Sequence, residues 1–209
     1  MRVDQRVVGA VAICANEPDA FEAEELALLS EMAQDIALGI AGLRARTEYD
    51  RAHALVERMA YYDQLTGLPN HASFDLQLHT LSVEAEKRGL SLALLRVGLA
   101  RIREINDALG FQGGDVLLKE VAARLRTAAS EGGFVARMRG DEFALLSMVT
   151  ETAEATQTAQ KVSAALAQPF AVGELKLDVT ARVGIALFPK DSKEALHLTR
   201  RADVAMQHA

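Results

Sequence analysis

Only one cysteine, Cys14, occurs in the 209 residues. No disulfide can therefore form within the chain, and no Cys/His spacing offers a zinc site. Such sparse cysteine usage fits a reducing compartment, so a cytoplasmic location is expected. A long basic stripe is also missing, and the formal net charge is −6. Bulk binding of duplex nucleic acid, which needs many phosphates neutralised, is excluded on that ground. Basic residues gather only in small groups, Arg96 with Arg101 and Arg103, and Arg137 with Arg139. Groups of that size suit a phosphate or a helix face. No uninterrupted apolar run approaches the ~18 residues of a membrane span, and no basic-then-apolar leader opens the chain. No membrane contact is expected of this stretch. What the chain does have is apolar bulk, 50% of its residues, enough for at least one sizeable core.

The stretch Arg6–Cys14, RVVGAVAIC, alternates and is rich in β-branched residues, which predicts a strand. A turn cluster follows at 16–19. From about Glu22 to about Tyr61 proline is absent and the periodicity is helical, with Leu29, Met32, Ile36, Ile40 and Leu43 on one stripe. A helix of ~40 residues spans ~60 Å, too long for one compact domain, and such helices connect domains or pair with a copy of themselves. The stripe weakens after Arg44, so two shorter helices with a break near Arg44–Asp50 are the alternative.

Beyond a Gly/Pro-containing loop at 63–70, the pattern predicts a helix over His71–Lys87 and a central strand over Ser91–Ala100. A short helix over Arg101–Leu109 should end at Gly110, and another should run from Gly113 to about Ala129. Phe134–Arg139 and Phe143–Val149 read as a hairpin. A helix over 152–168, a second strand pair of Leu175–Val179 with Ala181–Phe188, and a helix from Ser192 onward complete the chain. Hairpins interrupting an alternation of strands and helices predict an α+β fold with one mixed sheet.

Four segments carry chemistry: D-x-L-T-G-L-P-N at 63–70, I-N-D-x-x-G at 105–110, G-D at 114–115 and R-x-x-G-D-E-F at 137–143. At a hairpin tip, the carboxylates of Asp141 and Glu142 can reach a metal or a hydroxyl without interrupting the sheet. Gly140 permits a positive φ and close approach to a phosphate. Taken alone, the same residues also fit an ordinary charged turn.

Together the four segments resemble the GGDEF family of cyclic-di-GMP signalling, in order and spacing, from about Tyr62 to Ala209. Phe188-Pro189-x-Asp191 and Ala202-Asp203-x-Ala205-Met206 extend the match. The resemblance implies a ferredoxin-like sheet flanked by helices, similar to nucleotide cyclases and polymerase palms. It implies a pocket for GTP, and in active members a Mg²⁺-dependent condensation of two GTP into cyclic-di-GMP across a dimer. Asn106 and Asp115 match the residues that read guanine, with helix capping as the alternative role. Asp141 and Glu142 match the signature carboxylates, Asp141 being the metal ligand. Gly140, Arg103 and Arg139 fall at positions near the phosphates.

Several departures stand out. Where active members have D-x-D-x-F-K, this chain has Gly98-Leu99-Ala100-Arg101-Ile102-Arg103, so the carboxylate partner of Asp141 is replaced by Gly98. The first glycine of the signature is Arg139, which could block the site or could supply charge in place of metal. His71 replaces an arginine, Phe111 a histidine and Gln207 a tyrosine. The R-x-x-D of product-inhibited members reads Ser130 and Gly133. The chain stops at Ala209, before the Lys and Arg that the family places just beyond, so a truncated C-terminal end is expected.

Residues 1–45 resemble the last strand and helix of a GAF domain, through G-A-V-A-I, E-P-D-A-F and E-E-L-x-L-L-x-E-M-A. The organisation read from the sequence is thus a GAF remnant over 1–45, a linker helix over 46–61 and a GGDEF domain over 62–209, with an EAL phosphodiesterase domain expected downstream. Three functions follow as alternatives: a catalytically inactive regulatory domain that binds GTP, an active diguanylate cyclase, or a dimerising scaffold that binds no nucleotide. A homodimer through the linker helix is expected in each.

Overall fold

A computed structural model describes residues 1–3, 6–17, 20–129, 132–173 and 175–209. Pro18 and Asp19 of the expected turn, and Ser130, lie outside the described residues. Met1–Arg58 and Met59–Ala209 form two compact units.

In the first unit, β1 (Arg2–Val3) pairs antiparallel with β2 (Arg6–Val7). The strand predicted over Arg6–Cys14 stops at Val7, because a strand needs a paired neighbour and β1 offers only two residues. α1 (Ala23–Tyr61) is continuous, so the break near Arg44–Asp50 does not occur. That segment holds neither proline nor glycine, and Arg46 Nε meets Asp50 at 3.2 Å across one helical turn. Of α1's apolar residues Ala37 is buried, while Leu28, Met32, Leu43 and Val56 are exposed. An 18-residue window of α1 has mean hydropathy 1.4, apolar enough by length and composition to cross a membrane. Counting uninterrupted apolar runs overlooks it, because charged residues punctuate the helix.

The second unit is built on four strands in the order β4-β5-β3-β8, where β3 is Ser91–Leu99, β4 Phe134–Arg139, β5 Glu142–Val149 and β8 Ala181–Phe188. Every pairing is antiparallel, where a mixed sheet was expected. The α+β class stands. The second strand pair also differs from expectation. β7 (Leu175–Leu177) pairs with β6 (Phe170–Val172), and β8 crosses to β3 over eight residue pairs. An apolar strand gains more from a long partner at the sheet centre than from a three-residue neighbour.

β3 is buried on both faces, which explains its near-continuous apolar run. Ala93, Leu95 and Val97 pack with Leu117, Val121 and Leu125 of α3 (Ile102–Ala128) and Val162 of α4 (Thr152–Leu166). Leu92 and Leu94 face the other way, onto Phe74 and Leu78 of α2 (His71–Arg88) and Leu198 and Ala202 of α5 (Ala195–Gln207). Each buried leucine is worth ~1.5–3 kcal/mol. α2 is capped by Asn70, whose side chain accepts from the Ser73 amide at 3.2 Å, and ends at Gly89 in the left-handed region. α5 lies so close to β8 that a Cβ built on Gly184 would fall 2.2 Å from Ala202 O and from Met206 N. The two helices expected over 101–129 are both present and meet at Gly110, whose φ of 72° and ψ of 170° are not helical; together they are labelled α3.

A nucleotide-sized cleft beside the signature hairpin

The kink in α3 shapes the candidate site. Its two halves fold toward each other across Gly113 and Gly114. A Cβ on Gly114 would sit 1.9 Å from Asn106 Oδ1, so only glycine leaves room for that amide. Asn106 thereby shares one cleft of about 540 Å³ with Arg103, Asp115, Arg137, Gly140 and Asp141, floored by Ile102 and Leu118. Asn106 and Asp115 lie inside α3, whose first cap is Arg101, and neither side chain makes a capping hydrogen bond. Among the described residues the Asp115 carboxylate has no hydrogen bond or ion pair of its own. Its acceptors are free for a ligand.

Arg137 braces the signature turn. Its Nη2 and Nε donate to Gly140 O at 2.7 and 3.0 Å, and its Nη1 donates to both Asp63 oxygens at 3.0 and 3.1 Å. Gly140 has φ 56°, which a side chain would strain. Leu99 N donates to Asp141 O at 3.2 Å and ties the tip to the end of β3. Burial pushes the Asp63 carboxyl up. Hydrogen bonds from the Thr66 hydroxyl and amide and the contact with Arg137 outweigh it, so the group lies below its ordinary range. The loop carrying Asp63 is itself anchored, with Asn70 N and Ser73 Oγ both donating to Tyr61 O.

The remaining expected residues lie elsewhere. Arg139 and Glu142 are cross-strand partners, and Glu142 is also paired with Gly98. Directly paired residues share a sheet face, so these three lie on the α5 side, whereas Phe143 and Arg137 face α3. A bulge between Arg137 and Arg139 makes the switch. Arg139 is exposed and does not line the cleft. Glu142 is held by Arg96, whose Nη2 stands 2.8 Å from Glu142 Oε2 and whose Nε stands 2.6 Å from Asp203 Oδ1. Neither this clamp nor the Asp63–Arg137 pair was assigned from sequence. A lone arginine in an otherwise apolar strand was the available signal for the first, because a buried charge needs partners.

GGDEF cyclases generally use Mg²⁺ when active. The residues present do not fit a two-carboxylate metal centre. Gly98 brings no side-chain oxygen, Glu142 is occupied by Arg96, and Asp141 is left alone. Among the described residues no three acidic, histidine or cysteine side chains gather as metal ligands. A larger groove of about 880 Å³ between α3 and α4 is structural in character. Its Arg124 is committed to the carbonyls of Ala165, Gln168 and Pro169 and to the ring of Phe170.

Comparison with known proteins bears on the whole second unit. The family model described as "Diguanylate cyclase, GGDEF domain" matches residues 60–209. The bifunctional diguanylate cyclase/cyclic di-GMP phosphodiesterase MucR of Pseudomonas aeruginosa is 36% identical over 163 residues, covering 78% of this chain and 24% of that protein. The diguanylate cyclase TpbB of the same organism is 32% identical over 184 residues, 87% of this chain and 42% of that one. The chain thus spans less than half the length of these relatives. The solved GGDEF domain of TpbB superposes with a TM-score of 0.69 at 34% identity, over 71% of this chain and 88% of that one. The coiled coil and GGDEF domain of DgcB from Caulobacter crescentus, in complex with c-di-GMP, gives 0.69 at 26% identity, over 82% and 92%. On these matches, residues 60–209 are a GGDEF domain of the kind found in cyclic-di-GMP signalling proteins, and the chain belongs to that family.

Proposed function

We propose that this GGDEF domain is a non-catalytic, regulatory domain that binds GTP. One observation carries the reading. Asn106 and Asp115 line an open cleft, while the opposite face has glycine at 98 and has Glu142 tied to Arg96. In the cleft, Asp115 accepts from the guanine N1–H and N2–H₂ and Asn106 completes the base contact. Arg103 supplies charge toward the phosphates. Losing an electrostatic group at the reacting phosphate is worth ~10²–10³ in rate, which is why binding without turnover follows.

The wider organisation belongs to the same proposal. Residues 1–45 are the end of a GAF domain, residues 46–61 a linker and residues 62–209 the GGDEF domain, within a cytoplasmic protein that continues into an EAL phosphodiesterase. The names of MucR and of the cyclic di-GMP phosphodiesterase NbdA, 35% identical over 162 residues, support that last element. Exposed Leu28, Met32, Leu43 and Val56 on α1 support a homodimer through the helix.

Calorimetric titration of GTP with and without Mg²⁺, with the same samples assayed for cyclic-di-GMP, tests the function. Binding without product is expected. Metal-dependent product would establish the active cyclase instead, and absence of any binding would leave the dimerising scaffold.

A further inference from the structure

β3 reads S-L-A-L-L-R-V-G-L, and Arg96 is the one charge in it. Its side chain is only 6% exposed. An unpaired guanidinium at such depth costs several kcal/mol, so its partners matter. They come from two other elements, Glu142 on β5 and Asp203 on α5. Room for the long side chain comes from its own row of the sheet, where the paired residues are Ala136, Ala144 and Gly184. The next row runs Arg139, Glu142, Gly98, Arg182. In it Glu142 and Gly98 are flanked by cations at both ends. The clamp is tight but imperfect. Nε approaches Asp203 Oδ1 off the N–H axis, so Nε, Nη1 and Oδ1 are buried without a hydrogen bond. Arg96 is thus held by one hydrogen bond, from Nη2 to Glu142 Oε2, and otherwise by charge.

We infer that Arg96 is a fixed cation that takes the charge position of a divalent ion on this face, and that it, together with the loss at Gly98, is what makes the site refuse metal. Glu142 stands directly opposite Gly98 and is the carboxylate placed to compensate for the missing one. Arg96 occupies it. Asp141 stands in the cleft on the α3 side, so a carboxylate at 98 finds on its own face only Glu142 and Asp203, both held by Arg96, and restoring it alone does not restore a metal site. The inference deepens the reading of a dismantled metal side. It is tested with metal alone, so it stands or fails independently of GTP binding.

The experiment is titration of the 209-residue chain with Mn²⁺, followed by electron paramagnetic resonance of the free ion. The wild type and Gly98→Asp should bind weakly and alike, within about threefold. The G98D side chain itself has space, because its nearest neighbour is the flexible end of Met206, 3.1 Å from the built Cβ. Adding Arg96→Met to G98D should tighten Mn²⁺ binding by roughly tenfold or more, the size of coupling seen between groups in direct contact. Glu142 and Asp203 are 31% and 35% exposed, so water can reach them once the guanidinium is gone. If R96M nevertheless fails to fold by circular dichroism, Arg96→Gln in the same background, which keeps hydrogen bonding and removes charge, should give the same gain. Arg96→Lys with G98D should stay as weak as G98D, because the charge is kept. The inference is overturned if the wild type binds Mn²⁺ tightly, if G98D alone gains as much as the double variants, or if the neutral variants gain nothing.

Discussion

The two sides of the sheet's end have fared differently. On the α3 side, Asn106, Asp115 and Gly140 stand around one open cleft, with the backbone room they need supplied by Gly114 and the kink at Gly110. On the α5 side, a glycine, a bound-up glutamate and a buried arginine stand in one patch. Recognition of a base needs a few hydrogen-bonding groups in a preformed cavity. Transfer of a phosphoryl group needs carboxylates free to hold a metal. One requirement can be met where the other is not, and the proposal of binding without turnover rests on that difference.

The sharpest way to break the contrast is Asp115→Ala. It should weaken GTP binding by about 10- to 100-fold, the ~1.5–3 kcal/mol of a hydrogen bond to a charged group, with or without Mg²⁺ in the calorimeter. Gly114→Ala comes next. Its Cβ overlaps Asn106 Oδ1 and turns that amide aside, so GTP affinity should fall roughly tenfold. Asp63→Asn probes the brace beneath the cleft. The Asp63 carboxyl lies lower in the folded state than its unfolded value near 3.9. Its contribution is therefore full above about pH 4 and is lost as pH falls through the folded value. The melting-temperature gap between wild type and D63N should close on acidification, and a constant gap would remove Asp63 as its source. The smallest effect belongs to the metal side. Asp141→Asn should change GTP affinity by less than about threefold in Mg²⁺, since a carboxylate without a partner holds no metal for the phosphates.

Much of this contrast was legible in the sequence. Asn106 and Asp115, the signature carboxylates and the gap at Gly98 are read from residue type at fixed spacing, and five of the expected residues share the cleft. What could not be read is what depends on strands meeting. Asp63 and Arg137 are 74 positions apart, and no local pattern announces their pairing. Arg139 and Arg137 are near neighbours in sequence, yet a bulge sends them to opposite faces. β7 and β8 look like a hairpin because they are adjacent, and only the sheet's centre shows where β8 gains more. Arg96 was visible as a charge in an apolar strand, but its partners lie on two distant elements.

The contact of α5 with Gly184 separates what an engineer can alter on this face from what must be left alone. Positions 96 and 98 meet flexible side chains, so their chemistry can be rewritten by substitution. Position 184 meets the main chain of α5, at Ala202 O and Met206 N, and no neighbouring side chain can yield to accommodate it. Any redesign of this face therefore has freedom in the residues that carry charge and none in the seam that holds α5, and with it Asp203, against the sheet.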